Sequence, residues 1–101
     1  MLGSLLSSYL PLQTFSSSGT LLLYSKILEI DASAGDVVIT LGAITGSTIK
    51  FTPMIVNRID NSLNTVTFNG TGGNFPEEPL TVPVGDDFIL YATDTLWRTV
   101  S

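Results

Sequence analysis

The feature that most constrains this chain is the regular interruption of short apolar stretches by turn-forming residues. From residue 20 onward, stretches rich in Val, Ile and Thr are separated by Gly, Asp, Asn and Pro at intervals of roughly 8–12 residues. Thirteen threonines, eight isoleucines and seven valines supply the branched side chains that suit a pleated sheet. The pattern predicts an all-β domain over residues 20–101, a compact β-sandwich, β-prism or barrel of short antiparallel strands. Segment 59–65 is expected to be a hairpin loop.

The N-terminal segment follows a different spacing. Its apolar residues recur as on one face of a helix, and these are Leu2, Leu5, Leu6, Tyr9 and Leu10. Pro11 ends the pattern, and two or three helical turns are marginal alone in water. We therefore expect residues 1–19 to form a short helical or extended arm with a polar hinge at 15–20. The arm either folds back on its own domain or docks on a neighbouring subunit or shell, and we read it as mature protein because it lacks the positively charged start of a secretory signal.

Low charge points to burial by other protein copies. Charged residues are 13% of the chain and apolar residues 44%, whereas soluble domains carry roughly 25% charged residues. The alternative is a weakly charged monomer rich in Ser and Thr. The expected oligomer interface shares residues with the core, and it consists of Leu21, Leu23, Met54, Val56, Tyr91 and Trp97.

The basic residues are too few and too scattered to bind phosphates. There are four of them in a chain of net charge −5, and they are Lys26, Lys50, Arg58 and Arg98. Nucleic-acid binding needs clustered cations that displace counterions, so neither nucleic acid nor an anionic membrane surface is an expected partner. No apolar run approaches the 18 residues or so of a membrane-spanning helix.

Candidate chemistry is restricted to carboxylates because the chain has no histidine and no cysteine. Glu77 with Glu78 and Asp86 with Asp87 are adjacent pairs in turn-like contexts. A glycosidase pair or a set of calcium ligands would use carboxylates of this kind, but we expect these residues to be solvated loop carboxylates. We therefore predict no enzyme activity, no metal and no cofactor.

A second possibility is a sugar-binding surface. Trp97 and Tyr91 can stack on a sugar ring, and Asn69 and Asn74 can supply hydrogen bonds. A tryptophan in a terminal strand is more often a core or interface residue, which is the interpretation we favour here.

Three segments together resemble β-rich modules of phage structural proteins: ILEIDASAGDVVITL, IVNRIDNSLNTVTFNG and FILYATDTLWRTVS. The matching features are the turn at 31–33, the strand at 37–41, Arg58-Ile59-Asp60, Asn64-Thr65-Val66 and the turn from Asp94 to Trp97. The resemblance covers residues 20–101 and departs from the group at Asn57-Arg58, where a cationic doublet is common, and in having no long shaft region.

The resemblance implies a virion structural protein. It favours a capsid decoration (cement) protein on the capsid surface, associated as a homo-oligomer, expected to be a trimer, and bound to the major capsid protein through the arm. The alternative within the group is a tail-fibre, head-fibre or baseplate module that binds a host receptor or glycan.

Overall fold

The structure, a computed structural model, describes residues 9–101 as an all-β domain, which confirms the predicted fold class. The nine strands of this region are β1 Tyr9–Phe15, β2 Gly19–Leu21, β3 Tyr24–Ile30, β4 Val37–Leu41, β5 Met54–Arg58, β6 Val66–Asn69, β7 Leu80–Thr81, β8 Asp87–Ala92 and β9 Trp97–Val100. Across residues 9–101, no helix is long and apolar enough to cross a membrane.

The strands form two sheets that pack face to face. The five-stranded sheet has the order β1-β3-β5-β8-β9, and the four-stranded sheet has the order β2-β4-β6-β7. The inner faces share one apolar core, in which the Phe68 and Phe88 rings from opposite sheets meet edge to face with centroids 5.6 Å apart. The described region is therefore a β-sandwich.

Both sheets are mixed, whereas the sequence pattern predicted antiparallel strands. The first six strands alternate between the sheets, so that β1, β3 and β5 run parallel in one and β2, β4 and β6 run parallel in the other. Antiparallel pairs join β7, β8 and β9 to these strands. Segment 59–65 is consequently a crossover between sheets and not a hairpin, because its flanking strands β5 and β6 lie in different sheets. Side chains alternate with a period of two in either arrangement, which is why the pattern could not separate them.

Of the two conformations expected for the N-terminal arm, helical and extended, its last residues have the extended one. Tyr9 and Leu10 belong to β1, which pairs with β3 at the edge of the five-stranded sheet. Pro11 lies inside this strand, where its missing N–H is tolerated because an edge strand is paired on one side only. Leu2, Leu5 and Leu6 lie outside the described residues, and the proposed boundary between arm and domain stays a prediction.

The polar segment 15–20 carries the chain from one sheet to the other. It connects the end of β1 to β2, and its ends are fixed by hydrogen bonds. The Asp31 N–H donates to the Phe15 carbonyl at 2.9 Å, and the Val38 N–H donates to Ser18 Oγ at 2.8 Å. Hydrogen bonds therefore hold this segment to the end of β3 and to β4.

Candidate interaction surface

An unbroken row of apolar side chains crosses the outer face of the five-stranded sheet. Strand register places one member on each strand, and the row consists of Leu12, Ile27, Ile55, Ile89 and Val100. Each of these side chains is between 37% and 51% exposed. We call this set the apolar row.

The apolar row is unusual for a sheet whose first three strands are parallel. Parallel sheets are normally covered on both faces, whereas sheets with one solvated face usually place polar residues there. Ile55 illustrates the contrast, since its neighbours Met54 and Val56 point into the core while Ile55 points outward. Five exposed apolar residues that are register neighbours along one line form the kind of surface that another protein covers.

Charged residues of opposite sign flank the apolar row. One neighbouring row is polar and contains Thr14, Glu29, Asn57 and Asp87. On the other side of the apolar row, Tyr91 pairs with Arg98. Among the described residues, the ion pair is between Arg58 and Asp60, and Glu29, Asp87 and Arg98 make none. The face therefore has an acidic flank and a cationic flank, both unpaired in the single chain.

A shallow groove lies beside the apolar row near β9. Its volume is about 340 Å³, and its lining combines apolar side chains with one carboxylate: Ile55, Asp87, Phe88, Ile89, Val100 and Ser101. The groove places Asp87 at the border of the apolar surface, where a cation from another molecule can reach it.

The outer face of the four-stranded sheet has a different composition. One row consists of Thr20, Thr40 and Asn69, and the next consists of Val38, Thr67 and Thr81. Five of these six side chains are polar, so this face can hydrogen-bond with water. The two outer faces of the sandwich thus differ sharply in chemistry.

A buried ion pair connects the two sheets at one end of the sandwich. Arg58 Nε donates to Asp60 Oδ1 at 3.0 Å, and Arg58 Nη2 donates to Asp60 Oδ2 at 3.1 Å. The side chains are 3% and 2% exposed. Arg58 also donates to the carbonyls of Asn64 and Val82, which lie next to strands of the four-stranded sheet. This network connects the end of β5 to the segment before β6 and to the residue that follows β7.

The pKa of Asp60 is lowered far below its usual range. The main cause is the hydrogen-bonded Arg58 guanidinium, which outweighs burial, an effect in the opposite direction. The Ser62 hydroxyl and the backbone N–H groups of Ala32 and Ser62 also lower the pKa. Asp60 is therefore a structural anion that is fully ionised at neutral pH.

Two of the three segments that resemble phage modules, residues 27–41 and 55–70, meet at this ion pair. The Ala32 N–H donates to Asp60 at 3.0 Å, and Asn64 Nδ2 donates to the Ala32 carbonyl at 2.7 Å. Residues from the turn after β3, from the end of β5 and from the start of β6 thus form one hydrogen-bonded cluster. The motif has a structural role in this chain.

The residues proposed for sugar binding do not form one site. The Trp97 Nε1–H and the Asn74 amide both donate to the Gly42 carbonyl, at 2.9 and 3.0 Å, and both residues are buried. Tyr91 lies on the five-stranded sheet, whereas Asn69 lies on the four-stranded sheet. Trp97 therefore has its ring and its N–H engaged inside the domain.

The residues of the predicted oligomer interface differ in burial, and their contact with another copy stays a prediction. Four of its residues, Leu21, Met54, Val56 and Trp97, are buried in the core of the single chain, which is the core part of that prediction. Leu23 and Tyr91 are half-buried, and their contact with another copy stays a prediction. The apolar row contains none of the six residues named for the interface. It accounts for five of the exposed large apolar residues, and the others lie elsewhere: Leu22, Val38, Phe51, Ile59, Leu63 and Val84. The signal for the row was present at 54–56, where three consecutive apolar residues in a strand require one to point outward.

The members of the adjacent carboxylate pairs, Glu77 with Glu78 and Asp86 with Asp87, do not share a common binding partner among the described residues. Glu77 accepts a hydrogen bond from Thr99 Oγ1 at 2.6 Å, whereas Glu78 accepts one from the Gly70 N–H at 3.1 Å. Asp86 and Asp87 are exposed. In residues 9–101, no group of three acidic, His or Cys side chains is placed to hold a metal ion.

Comparison of the chain with protein-family models, with curated proteins and with solved structures gives no match.

Proposed function

We propose that the protein is a non-enzymatic structural component of a virus particle, a capsid decoration (cement) protein that holds other protein chains by contact. The observation that carries the contact role is the apolar row, exposed across all five strands of one sheet. A single chain gains nothing from this arrangement in water, because apolar area left exposed forgoes about 25 cal/mol per Å² of stabilisation.

The virion setting is supported by the resemblance to phage structural modules. The motif residues Ala32, Arg58, Asp60 and Asn64 meet in one buried network, which supports a structural signature over a catalytic one. The resemblance implies a trimer, and it implies that the arm contacts the major capsid protein. On a capsid lattice, many weak contacts of this kind act together, because multivalency multiplies them.

The test is to isolate particles of the virus that encodes the chain and to quantify its copies by mass spectrometry. We expect a fixed ratio to the major capsid protein and, by immunogold labelling, a location on the shell. Absence from the particles would overturn the virion proposal. Labelling on the tail would favour the fibre or baseplate alternative.

The anchoring role of the arm is tested with a deletion of residues 1–8, which leaves β1 complete. We expect the deletion to lower the number of chains that sediment with empty shells at least tenfold. The matched control is Val38→Lys, on the outer face of the four-stranded sheet. Equal binding by the deletion variant and the full chain would show that the arm is not the anchor.

A further inference from the structure

We infer that the outer face of the five-stranded sheet binds the same face of a second copy of this chain, with a two-fold axis that runs along the apolar row. The inference rests on the proposed function, because it names the partner of the same surface. It differs from the trimer that the resemblance implies.

The flanking charges favour an identical partner. Rotation by 180° about the apolar row places the acidic flank of one copy over the cationic flank of the other. Arg98 then arrives about one strand spacing, ~4.8 Å, to the side of Asp87 in the partner, which is within reach of a guanidinium. By symmetry the same contact forms twice, so two charges that lack an ion pair in the described chain both obtain one.

The apolar row is suited to lying on an identical row. Its five members follow one line across the sheet, so the two-fold rotation superposes row on row. Packed sheets keep their strand directions within about 30° of each other because of their twist. Ile55, on the central strand, therefore makes the closest contact, while Leu12 and Val100 at the edges are farther from the partner.

The area of the face sets the expected strength. Five strands at ~4.8 Å spacing and about six residues of length at ~3.3 Å give roughly 500 Å² per copy, or about 1,000 Å² for the pair. That total is at the lower limit for a specific interface. A dimer that forms reversibly with concentration is expected. Two copies close the surface completely, because an isologous contact uses the same patch on both.

The first experiment compares Ile55→Lys with Val38→Lys by sedimentation velocity from micromolar to millimolar concentration. Both residues are outward-facing, β-branched and on an interior strand of their sheet, so the two variants introduce the same change on opposite faces. The full chain and Val38→Lys should approach twice the 10.8 kDa monomer mass. Ile55→Lys should raise the dissociation constant at least a hundredfold, because it buries an unpaired charge in each copy.

The second experiment exchanges the flanking charges. Asp87→Arg alone and Arg98→Asp alone should each raise the dissociation constant about tenfold, because each breaks two rim ion pairs. The double variant should restore the original value, since the pair is re-formed in the opposite sense. Asp94→Arg, in the exposed turn before β9, changes the net charge by the same amount as Asp87→Arg and should leave association unchanged.

The outcomes separate this inference from the proposed function. A monomer at all concentrations, a trimer, or equal association by Ile55→Lys and Val38→Lys would overturn the two-fold pairing. If the chain is nevertheless present on particles, and Ile55→Lys removes it, the face binds another virion protein and the proposed function stands. A dimer that follows all the expected changes but is absent from particles would support the pairing and overturn the virion role.

Discussion

The two outer faces of the sandwich are built on similar backbones and carry opposite chemistry. Both sheets contain three parallel strands that alternate inward and outward residues. Outward positions of the four-stranded sheet are mainly Thr and Asn, whereas those at the middle of the five-stranded sheet are Leu, Ile and Val. Strand topology therefore does not explain the exposed apolar row.

The comparison shows that forming a strand does not require an apolar outer face. Threonine has the branched shape that a pleated sheet favours, and its hydroxyl can still bind water. The four-stranded sheet uses this solution at Thr40 and Thr67, while Ile27 and Ile55 occupy equivalent outward positions on the other sheet. The strand itself does not require these apolar side chains, which is why we propose that they serve contact with another protein.

The largest expected effect comes from breaking the Arg58–Asp60 network, which connects the two sheets. Asp60→Ala should lower the free energy of unfolding by about 3–5 kcal/mol, because it leaves Arg58 buried without a counter-charge. Urea denaturation measures the loss. Asp94→Ala, in an exposed turn, serves as the control and should change stability by less than about 0.5 kcal/mol. A loss under about 1 kcal/mol for Asp60→Ala would show that the ion pair contributes little.

The second prediction concerns the pH dependence of the stability that Asp60 contributes through this network. The folded-state pKa of Asp60 lies below that of the unfolded chain, about 3.9, so its contribution is complete above that pH. As the pH falls below about 4, the unfolded chain takes up a proton that folded Asp60 does not, and the contribution declines through the folded pKa. Urea titrations at several pH values should show the full chain and Asp60→Asn converging in stability below pH ~4. A constant difference down to pH ~2 would contradict the depressed pKa.

The third prediction exchanges the chemistry of the two faces. Ile55→Thr with Ile89→Thr should raise the dissociation constant of self-association at least tenfold, which is about 1.4 kcal/mol. Thr67→Ile with Thr81→Ile extends an apolar row from Val38 on the other sheet and should increase binding of a hydrophobic dye. If the first pair leaves association unchanged, the apolar row is not the contact surface.

The smallest expected effect is at Phe51. Its substitution tests whether an apolar residue that is exposed away from the apolar row takes part in self-association. Phe51 is 65% exposed and has a φ of 55°, a left-handed conformation that disfavours side chains with a Cβ. Phe51→Gly should raise the free energy of unfolding by about 1 kcal/mol through relief of this strain, whereas Phe51→Ala should not. Thermal denaturation measures the gain. Self-association should stay unchanged, and a large change would place Phe51 at the interface.

Much of the fold could be predicted because its signals are local. Turn residues such as those at 31–33 separate the strands, and the strand expected at 37–41 is present, with Val37, Ile39 and Leu41 buried. Strand direction could not be predicted, because a parallel strand alternates in the same way as an antiparallel one. At Tyr9 and Leu10 the helical spacing left a helical and an extended arm open, and pairing with β3 decides for the extended one.

The candidate surface was harder to predict than the fold. Trp97 and Met54 are residue types that are common at interfaces, but both side chains are buried in the core. Low charge correctly drew attention to surface apolarity without saying where it lies. Loops of different length connect the stacked strands, so no fixed sequence period marks which outward residues become neighbours.

By itself, the sequence determined that residues 20–101 form short strands with two-sided alternation, because neighbouring side chains on a strand must point in opposite directions. It also determined that some strands, such as Met54–Arg58, place an apolar residue on their outer side. Only the tertiary structure decided that five such residues, separated by up to 88 positions along the chain from Leu12 to Val100, share one line. Strand register is a non-local property, since it depends on which strands pair and at which residue, and no single segment contains that information.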